Sequence, residues 1–527
     1  MKAFSLIYLL ALVTLFGCKY FQNKNLTPVS KPEKVSKIYL PEQYYDSDRI
    51  NKLTDFKPVI DSVYKAYAEK LHIPGIVYGL VIDDKLLYSN GFGITNISRN
   101  YPATNRSVFR IASMSKSFTA LAILKLQEKG KLLVTEPAQN YLPELKSLTY
   151  LTSDASLITI ENLMTMTSGL PEDNPWADRQ LDMTEKEFTE LLKGGFSLSN
   201  NPSTTYEYSN LGYAMLGRII TNVSGIPYQE YIKENIFDAL KMNNTYWEYS
   251  EVPDSLLAQG YRYHNGKWIE EPMLHDGAFG SIGGIITSIK DFSKYVSYLL
   301  SAYPYKDDAE YGPVKRSLLR DMQRTRVTRL APDEVDEDGN PCSMVLGYAY
   351  GLRTELACDG FKNIGHSGGL PGFGSHFYIL PDYGLGIISF ANLTYAGPWK
   401  ADDQVIHLLR KNNIIQPHSL SVSEILKTRQ KQLVQLLKNR EGDLEEEILA
   451  ENFYLDKSHE QRLKEIETTL TQAGEIISAE TISPQNQLRG TFILSCSKQN
   501  VEVYFTLTPE KNPKIQYLSF KVVEKNF

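Results

Sequence analysis

Apolar residues recur at helical spacing from Ile50 to about Leu71, and the next stretch, GIVYGLVIDDKLLYSNGFGITN, alternates with a period of two on either side of Asp83 and Asp84. The first pattern predicts an amphipathic helix and the second a β-hairpin turning at the two aspartates. In SMSKSFTALAILKLQEKGKL the helical period returns from Met114 to Leu126 and stops at Gly130, which places Ser113 near a helix start. Residues 140 to 300 read as mainly helical, with Thr159 as a cap before IENLMTM and Ser288 with Asp291 as a capping box before FSKYVSYLL. Strand patterns resume at GYAYGLRTE, SHFYILP and LGIISFAN, and no fixed-period repeat runs along the chain.

After about Pro417 the pattern changes to a charged helical stretch, SVSEILKTRQKQLVQLLKNREGDLEEEILAENF, and then to alternating segments such as GTFILSCS and VEVYFTLTP. Residues 417–527 are therefore expected to form a separate small α+β domain behind a main domain at 49–416. At the other end, Met1-Lys2 precedes an apolar run from Phe4 to Phe16 that is too short for a stable membrane span and reads as an export signal over 1–17. Gly17-Cys18 is similar to a bacterial lipoprotein cleavage box, making Cys18 the expected lipidated residue. The polar, proline-containing segment 18–48 reads as a tether to an envelope membrane.

Composition narrows the chemistry. With 56 basic and 62 acidic residues the net charge is -6, and no basic block is long enough to track phosphates, which argues against nucleic acid as a partner. The eight histidines form no HExxH, HxH or paired CxxC arrangement, so neither a metal centre nor a cofactor is expected. Cys342, Cys358 and Cys496 leave an odd thiol, and spacing alone leaves a Cys342–Cys358 disulfide open.

Two serines compete as nucleophile. Ser367 sits in Gly365-His-Ser-Gly-Gly369, which fits Gly-x-Ser-x-Gly, but an elbow nucleophile needs a helix immediately after it. Here GGLPGFGSHFYILPDYGLGIISFAN follows, whose glycines and prolines around a period of two predict a turn and a hairpin. Ser113 opens Ser113-Met-Ser-Lys116, whose serine and lysine share one face of a first helical turn. Desolvation or positive neighbours can lower the lysine's pKa until it serves as base, and the helix start offers N–H groups to an oxyanion. Ser62-Val-Tyr-Lys65 and Ser495-Cys-Ser-Lys498 match the same tetrad, so order along the chain decides.

That order is Ser113-x-x-Lys116, then Tyr208-Ser209-Asn210 at the opening of another helical pattern, then His366-Ser367-Gly368; a duplicate Tyr88-Ser89-Asn90 precedes Ser113 in a strand. It resembles the penicillin-recognising serine hydrolases: class C β-lactamases, D-alanyl-D-alanine carboxypeptidases and related esterases and D-aminopeptidases. The resemblance covers roughly 53–409, including KLLVTEPAQNYLPEL, ITIENLMTMTSGLP and FGSIGGIITSIKDFSKY. It implies an α+β fold in which an antiparallel sheet is flanked by helices beside a mostly helical subdomain. It further implies that Ser113 is acylated, that Lys116 helps take its proton, and that Tyr208 acts as base, as phenolate or by relay, and protonates the leaving group. Asn210 would hydrogen-bond Lys116 or the substrate; His366 and Ser367 would face the site from the strand edge; Gly368 and Gly369 would line it, with the Ser113 and Gly369 N–H groups as oxyanion hole.

The chain departs from the family pattern at His366, where many members carry lysine, at Met166, where histidine is common, and at Ser203, where glycine is common. Residues 303–345 read as a variable loop region near the groove mouth. The C-terminal segment resembles small modules of the NTF2-like kind. The expected protein is a lipid-anchored envelope serine hydrolase acting on a peptidoglycan-derived peptide, an ester or a β-lactam. The alternative is a catalytically silent binding protein for such molecules.

Overall fold

The computed structural model describes residues 39–44, 46–335, 339–439 and 442–525; the export signal, Cys18 and most of the tether lie outside them. The chain divides into two compact units. One comprises Asp48–Tyr303 and Asp307–Ile415; the other comprises, among described residues, 39–44, 46–47, Pro304–Lys306 and 416–525.

In the first unit, β1 (Gly75–Ile82), β2 (Lys85–Asn96), β3 (Tyr101–Pro102), β4 (Val327–Ala331), β5 (Met344–Tyr348), β6 (Arg353–Leu356), β7 (Lys362–Leu370), β8 (Phe373–Leu380) and β9 (Leu385–Ala391) form one antiparallel sheet. Its order is β3-β2-β1-β9-β8-β7-β6-β5-β4. Both faces are covered, so β1, β8 and β9 are buried along their whole length and their alternate residues enter different cores. Val77, Val81, Phe377, Ile379, Ile388 and Phe390 join the larger core with helices α2 (Ser115–Glu128), α3 (Asn210–Ser224) and α4 (Ile289–Leu300). Ile76, Tyr78, Leu80, Tyr378, Leu380 and Ile387 pack on the other face with α1 (Lys57–Leu71) and α5 (Trp399–Lys411).

The hairpin turns at Asp83-Asp84 as the alternation predicts. The helix expected from Ile50 is broken: Arg49–Asp55 ends at Phe56 and α1 begins at Lys57, with Pro58 in its first turn where no intrahelical N–H is needed. Thr159 forms a capping box with Asn162. Ser288 caps α4 by accepting from the Asp291 N–H, but Asp291 does not reciprocate, because its carboxylate is held by the Asn244 N–H at 2.5 Å and by Lys294 at 2.7 Å. Residues 140–300 are less uniformly helical than expected: Tyr261–His264 pairs with Lys267–Glu270 across Asn265-Gly266. Both turn residues have positive φ, 49° and 75°, the conformation that makes Asn-Gly a hairpin signal. The segment 303–345 is also more ordered than a loop, carrying a helix at Arg316–Gln323 as well as β4 and the start of β5.

The second unit contains helices Glu424–Asn439, Gly442–Ile448 and His459–Ala473 and a five-stranded antiparallel sheet between Ile476 and Val523. Leu426, Leu433, Phe492, Val503 and Phe505 fill its own core, and the inward-facing members of GTFILSCS and VEVYFTLTP alternate as the sequence indicates. Among described residues, no helix is long and apolar enough to cross a membrane.

Candidate active site

Ser113 occupies a short 3₁₀ turn, Ala112–Met114, at the entry to α2. Ala112 is fully buried with φ of 49°, a left-handed conformation that costs a non-glycine residue energy and is held only where the surroundings enforce it. Gly368 of β7 supplies part of that enforcement: a Cβ there would run into Ile111 O and the Ser375 hydroxyl and come within 3.1 Å of the Ala112 Cβ. Gly368 thus lets the strand approach the turn that carries Ser113 closely.

One helical turn on, Lys116 is fully buried, with Nζ 3.1 Å from Ser113 Oγ and 2.9 Å from Ile282 O. The carbonyl belongs to the FGSIGG stretch, whose turn at Gly280–Gly283 delivers it to the lysine. Burial pulls the Lys116 pKa down to about 7; Arg353 pushes the same way, while the fields of Asp178 and Asp173 oppose it. The amine is thereby available near neutral pH.

Tyr208 comes from just outside α3, whose N-cap is Ser209. Lys116 Nζ lies 5.1 Å from its ring centroid, and the His366 and Tyr348 rings approach at 6.1 Å and 6.3 Å. Burial raises the phenol's pKa, against the opposing pull of Arg353 and a hydrogen-bonding contact with Ser113, so the side chain is a neutral phenol at rest. Three stretches far apart in sequence thus bring a hydroxyl, an amine and a phenol together.

Of the two partners expected for Asn210, Lys116 is not bonded to it. Asn210 Nδ2 donates to Asp173 Oδ1 at 3.0 Å and Asn174 Oδ1 at 2.9 Å, whereas Lys116 bonds Ser113 and Ile282. Asp173 also accepts from the Asn210 and Leu211 N–H groups at 2.7 Å and 2.8 Å, supplying a carboxylate to the start of α3. Asn210 Oδ1 is buried without a partner.

On β7, His366 and Ser367 do not face the same way. His366 pairs across with Phe377, on the side of the larger core, while Ser367 pairs with His376, whose ring meets Asp402 of α5 on the other face. Period-two alternation separates neighbours in a strand, so of the two only His366 turns to Tyr208. Buried His366 accepts or donates at Tyr348 OH, 3.2 Å away, and its pKa is lowered by burial and by Arg353 and Lys116, which makes it a neutral imidazole. Nor is β7 an edge strand over its whole length: β6 covers it up to Gly365, and only from His366 onward is one side left to the Ser113 turn. Gly369 lies against the Tyr395 ring, leaving no room for a Cβ.

Sequence reading overlooked Arg353, in a segment recognised only as a strand. It lies beside Gly365 on β6, with its guanidinium 5.7 Å from the Tyr208 ring centroid. It is exposed and holds no carboxylate partner among described residues. Asp178 was also missed: it is buried, accepts from Tyr395 OH at 2.9 Å, and has its pKa pushed up to about 6 by burial. A disulfide joins Cys342 to Cys358 near the ends of β5 and β6, and Cys496 is a buried free thiol. The departures also gain a physical meaning. Ser203 has φ of 67°, where glycine is the unstrained choice, and its hydroxyl accepts from Asn162 at 2.9 Å. Met166, at φ of 60°, turns its sulfur to the Ser209 N–H at 3.3 Å. Among described residues no group of side chains is arranged to hold a metal ion.

The sequence model of the Beta-lactamase family matches residues 60–411, and the chain belongs to that family. It is 27% identical over 346 residues to Protein flp of Staphylococcus aureus, covering 64% of each chain. To Beta-lactamase-like protein 4 of Dictyostelium discoideum it is 28% identical over 356 residues, 64% of this chain and 59% of that one. The match thus spans less than two thirds of these relatives' length. Among solved structures, the octameric penicillin-binding protein homologue from Pyrococcus abyssi superposes with a TM-score of 0.57 at 21% identity, over 89% of this chain and 96% of that one. A penicillin binding protein from Bacillus halodurans gives 0.51 at 22% identity, over 65% and 98%. Both show the β-lactamase/transpeptidase-like fold.

Proposed function

We propose that the protein is a serine hydrolase working through a covalent acyl-enzyme at Ser113, on an amide, ester or β-lactam carbonyl, with a cell-envelope D-amino peptide or ester as substrate. The observation that carries this reading is the 3.1 Å contact of Ser113 Oγ with a buried lysine whose pKa is about 7. In its amine form Lys116 takes the hydroxyl proton as Oγ bonds the carbonyl carbon; the C–N or C–O bond then breaks, and the leaving group takes a proton through Tyr208. Because burial keeps Tyr208 a phenol, it donates and relays rather than serving as a resting phenolate. Water then attacks the acyl carbon, giving its proton to the same pair and freeing Ser113. The Ser113 and Gly369 N–H groups are the proposed oxyanion donors, each worth roughly 3 kcal/mol in the transition state.

Arg353 favours a substrate with a free carboxylate on the leaving-group side, as a C-terminal residue has, since a cation without a carboxylate partner beside the proton donor suits that charge. Export, lipid anchoring through Cys18 and an NTF2-like C-terminal module complete the proposal and rest on sequence. The test is a fluorophosphonate probe with the wild type and Ser113→Ala, followed by nitrocefin, p-nitrophenyl esters and D-amino peptides. Labelling lost in Ser113→Ala, with turnover of at least one substrate class, supports the hydrolase; labelling without product release supports a silent binder. Arg353→Ala should weaken turnover of peptides with a free terminal carboxylate by roughly tenfold or more relative to their amides.

A further inference from the structure

We infer that the cavity beyond the end of β7 is a specificity subsite for a carboxylate on the acyl part of the substrate, so that the hydrolase selects acyl groups with an acidic side chain. This rests on the acyl-enzyme reading above and adds the substrate's charge to it. The cavity, of about 100 Å³, is lined by Arg110, Asp178, Arg179, Glu271, Leu370 and Phe373 among others. Leu370 ends the strand whose Gly368 abuts the Ser113 turn, and Arg110 immediately precedes Ile111 of that turn. From Gly365, beside Arg353, to Leu370 is five strand steps, roughly 17 Å. Arg353 and this cavity thus flank, along β7, the contact of Gly368 with the Ser113 turn, and the proposal takes one for each side of the scissile bond.

The unmet hydrogen-bonding capacity of the cavity is on its donors. Its carboxylates have partners: Asp178 accepts from Tyr395 OH at 2.9 Å, and Glu271 from Arg262 at 3.1 Å. Its arginines are less fully met. Arg110 is 2% exposed, donates through Nη2 to Leu274 O at 2.9 Å, and leaves Nε buried with no partner. Arg179, exposed at the rim, makes no ion pair among described residues. A buried guanidinium N–H left without a partner is costly, and a bound carboxylate relieves that cost with a charge-assisted bond. Asp276, Glu248 and Asp182 attract Arg110 without pairing with it; Asp276 Oδ2 accepts from Gln229 at 2.7 Å, and its Oδ1 is buried without a partner. The cavity's apolar residues Leu370 and Phe373 suit the aliphatic stem that would carry the acid.

The test compares the p-nitrophenyl monoesters of glutaric and pentanoic acids, alike in length and different in terminal charge, on the purified full chain. The expected kcat/KM ratio favours the glutaryl ester by about tenfold or more at low salt, and falls toward one in Arg110→Gln and in Arg179→Gln. Should Arg110→Gln fail to fold, the wild-type ratio and Arg179→Gln decide. A wild-type ratio near or below one, with Ser113 still labelled by the fluorophosphonate, overturns the subsite while sparing the hydrolase reading, and would mean that Arg110 only balances buried Asp276. Absence of labelling overturns both.

Discussion

Lys116 Nζ stands 3.1 Å from Ser113 Oγ inside a shell that strips it of water, and this brings the lysine's pKa down to about 7. Because only the amine can take the serine proton, acylation should rise with pH through about 7 and level off above. The two neighbours should move that midpoint in opposite directions. Asp178 holds the Lys116 pKa up, so Asp178→Asn should shift the limb to lower pH; Arg353 holds it down, so Arg353→Gln should shift it higher. Initial rates of fluorophosphonate labelling across pH 5 to 9 would be the check, and shifts in the same direction would contradict the assignment.

The same burial carries a stability cost with a definite sign. The folded pKa of Lys116 lies below its ordinary 10.5, so the folded state binds fewer protons than the unfolded state between about 7 and 10.5 and gains stability as pH rises through that window. Lys116→Met should therefore unfold at higher temperature than the wild type at pH 6, by an energy on the order of 2 kcal/mol, with the gain shrinking toward pH 10. Its acylation rate should fall by roughly 10² to 10⁴. A variant less stable at pH 6 would contradict the account.

Tyr208→Phe keeps the ring packing against His366 and Tyr348 and removes only the hydroxyl. Substrates with poor leaving groups, such as amides, should lose about 10² or more in kcat, whereas p-nitrophenyl esters, whose leaving group needs no proton, should lose much less. Equal losses would remove Tyr208 as proton donor.

Gly368→Ala places a methyl against Ile111 O and the Ser375 hydroxyl. The strand and the Ser113 turn must separate, and we expect destabilisation of about 1–3 kcal/mol together with loss of labelling. Denaturant unfolding and labelling of the folded fraction would separate the two effects.

On the far face of the sheet, fully buried Asp402 is hydrogen-bonded by Tyr64, by Ser389 at 2.8 Å and by His376 at 2.6 Å. Asp402→Ala should cost roughly 3–5 kcal/mol by stranding these donors, while the folded fraction still labels at Ser113. Loss of labelling in protein that remains folded would tie this cluster to the chemistry.

Much of the fold was legible because its signals are local. Asp83-Asp84 marks a turn between two period-two runs, Thr159 caps its helix, and the ordered motifs at Ser113, Tyr208 and His366 place three distant stretches at one site. What escaped depends on neighbours far away in sequence. Asn210 looks free in a Tyr-x-Asn motif until Asp173 captures its amide, and Arg353 is an ordinary strand residue until β6 aligns it with Gly365 beside Tyr208. Asn265-Gly266 was a local signal and was available; the helical character assigned to the region around it hid the hairpin.

The most direct test of the central claim is intact-protein and peptide mass spectrometry after brief exposure to a fluorophosphonate or a penicillin. The account predicts a single adduct on the peptide carrying Ser113, formed by the wild type and by Ser367→Ala and absent from Ser113→Ala. An adduct on Ser367, or one that survives in Ser113→Ala, would contradict it.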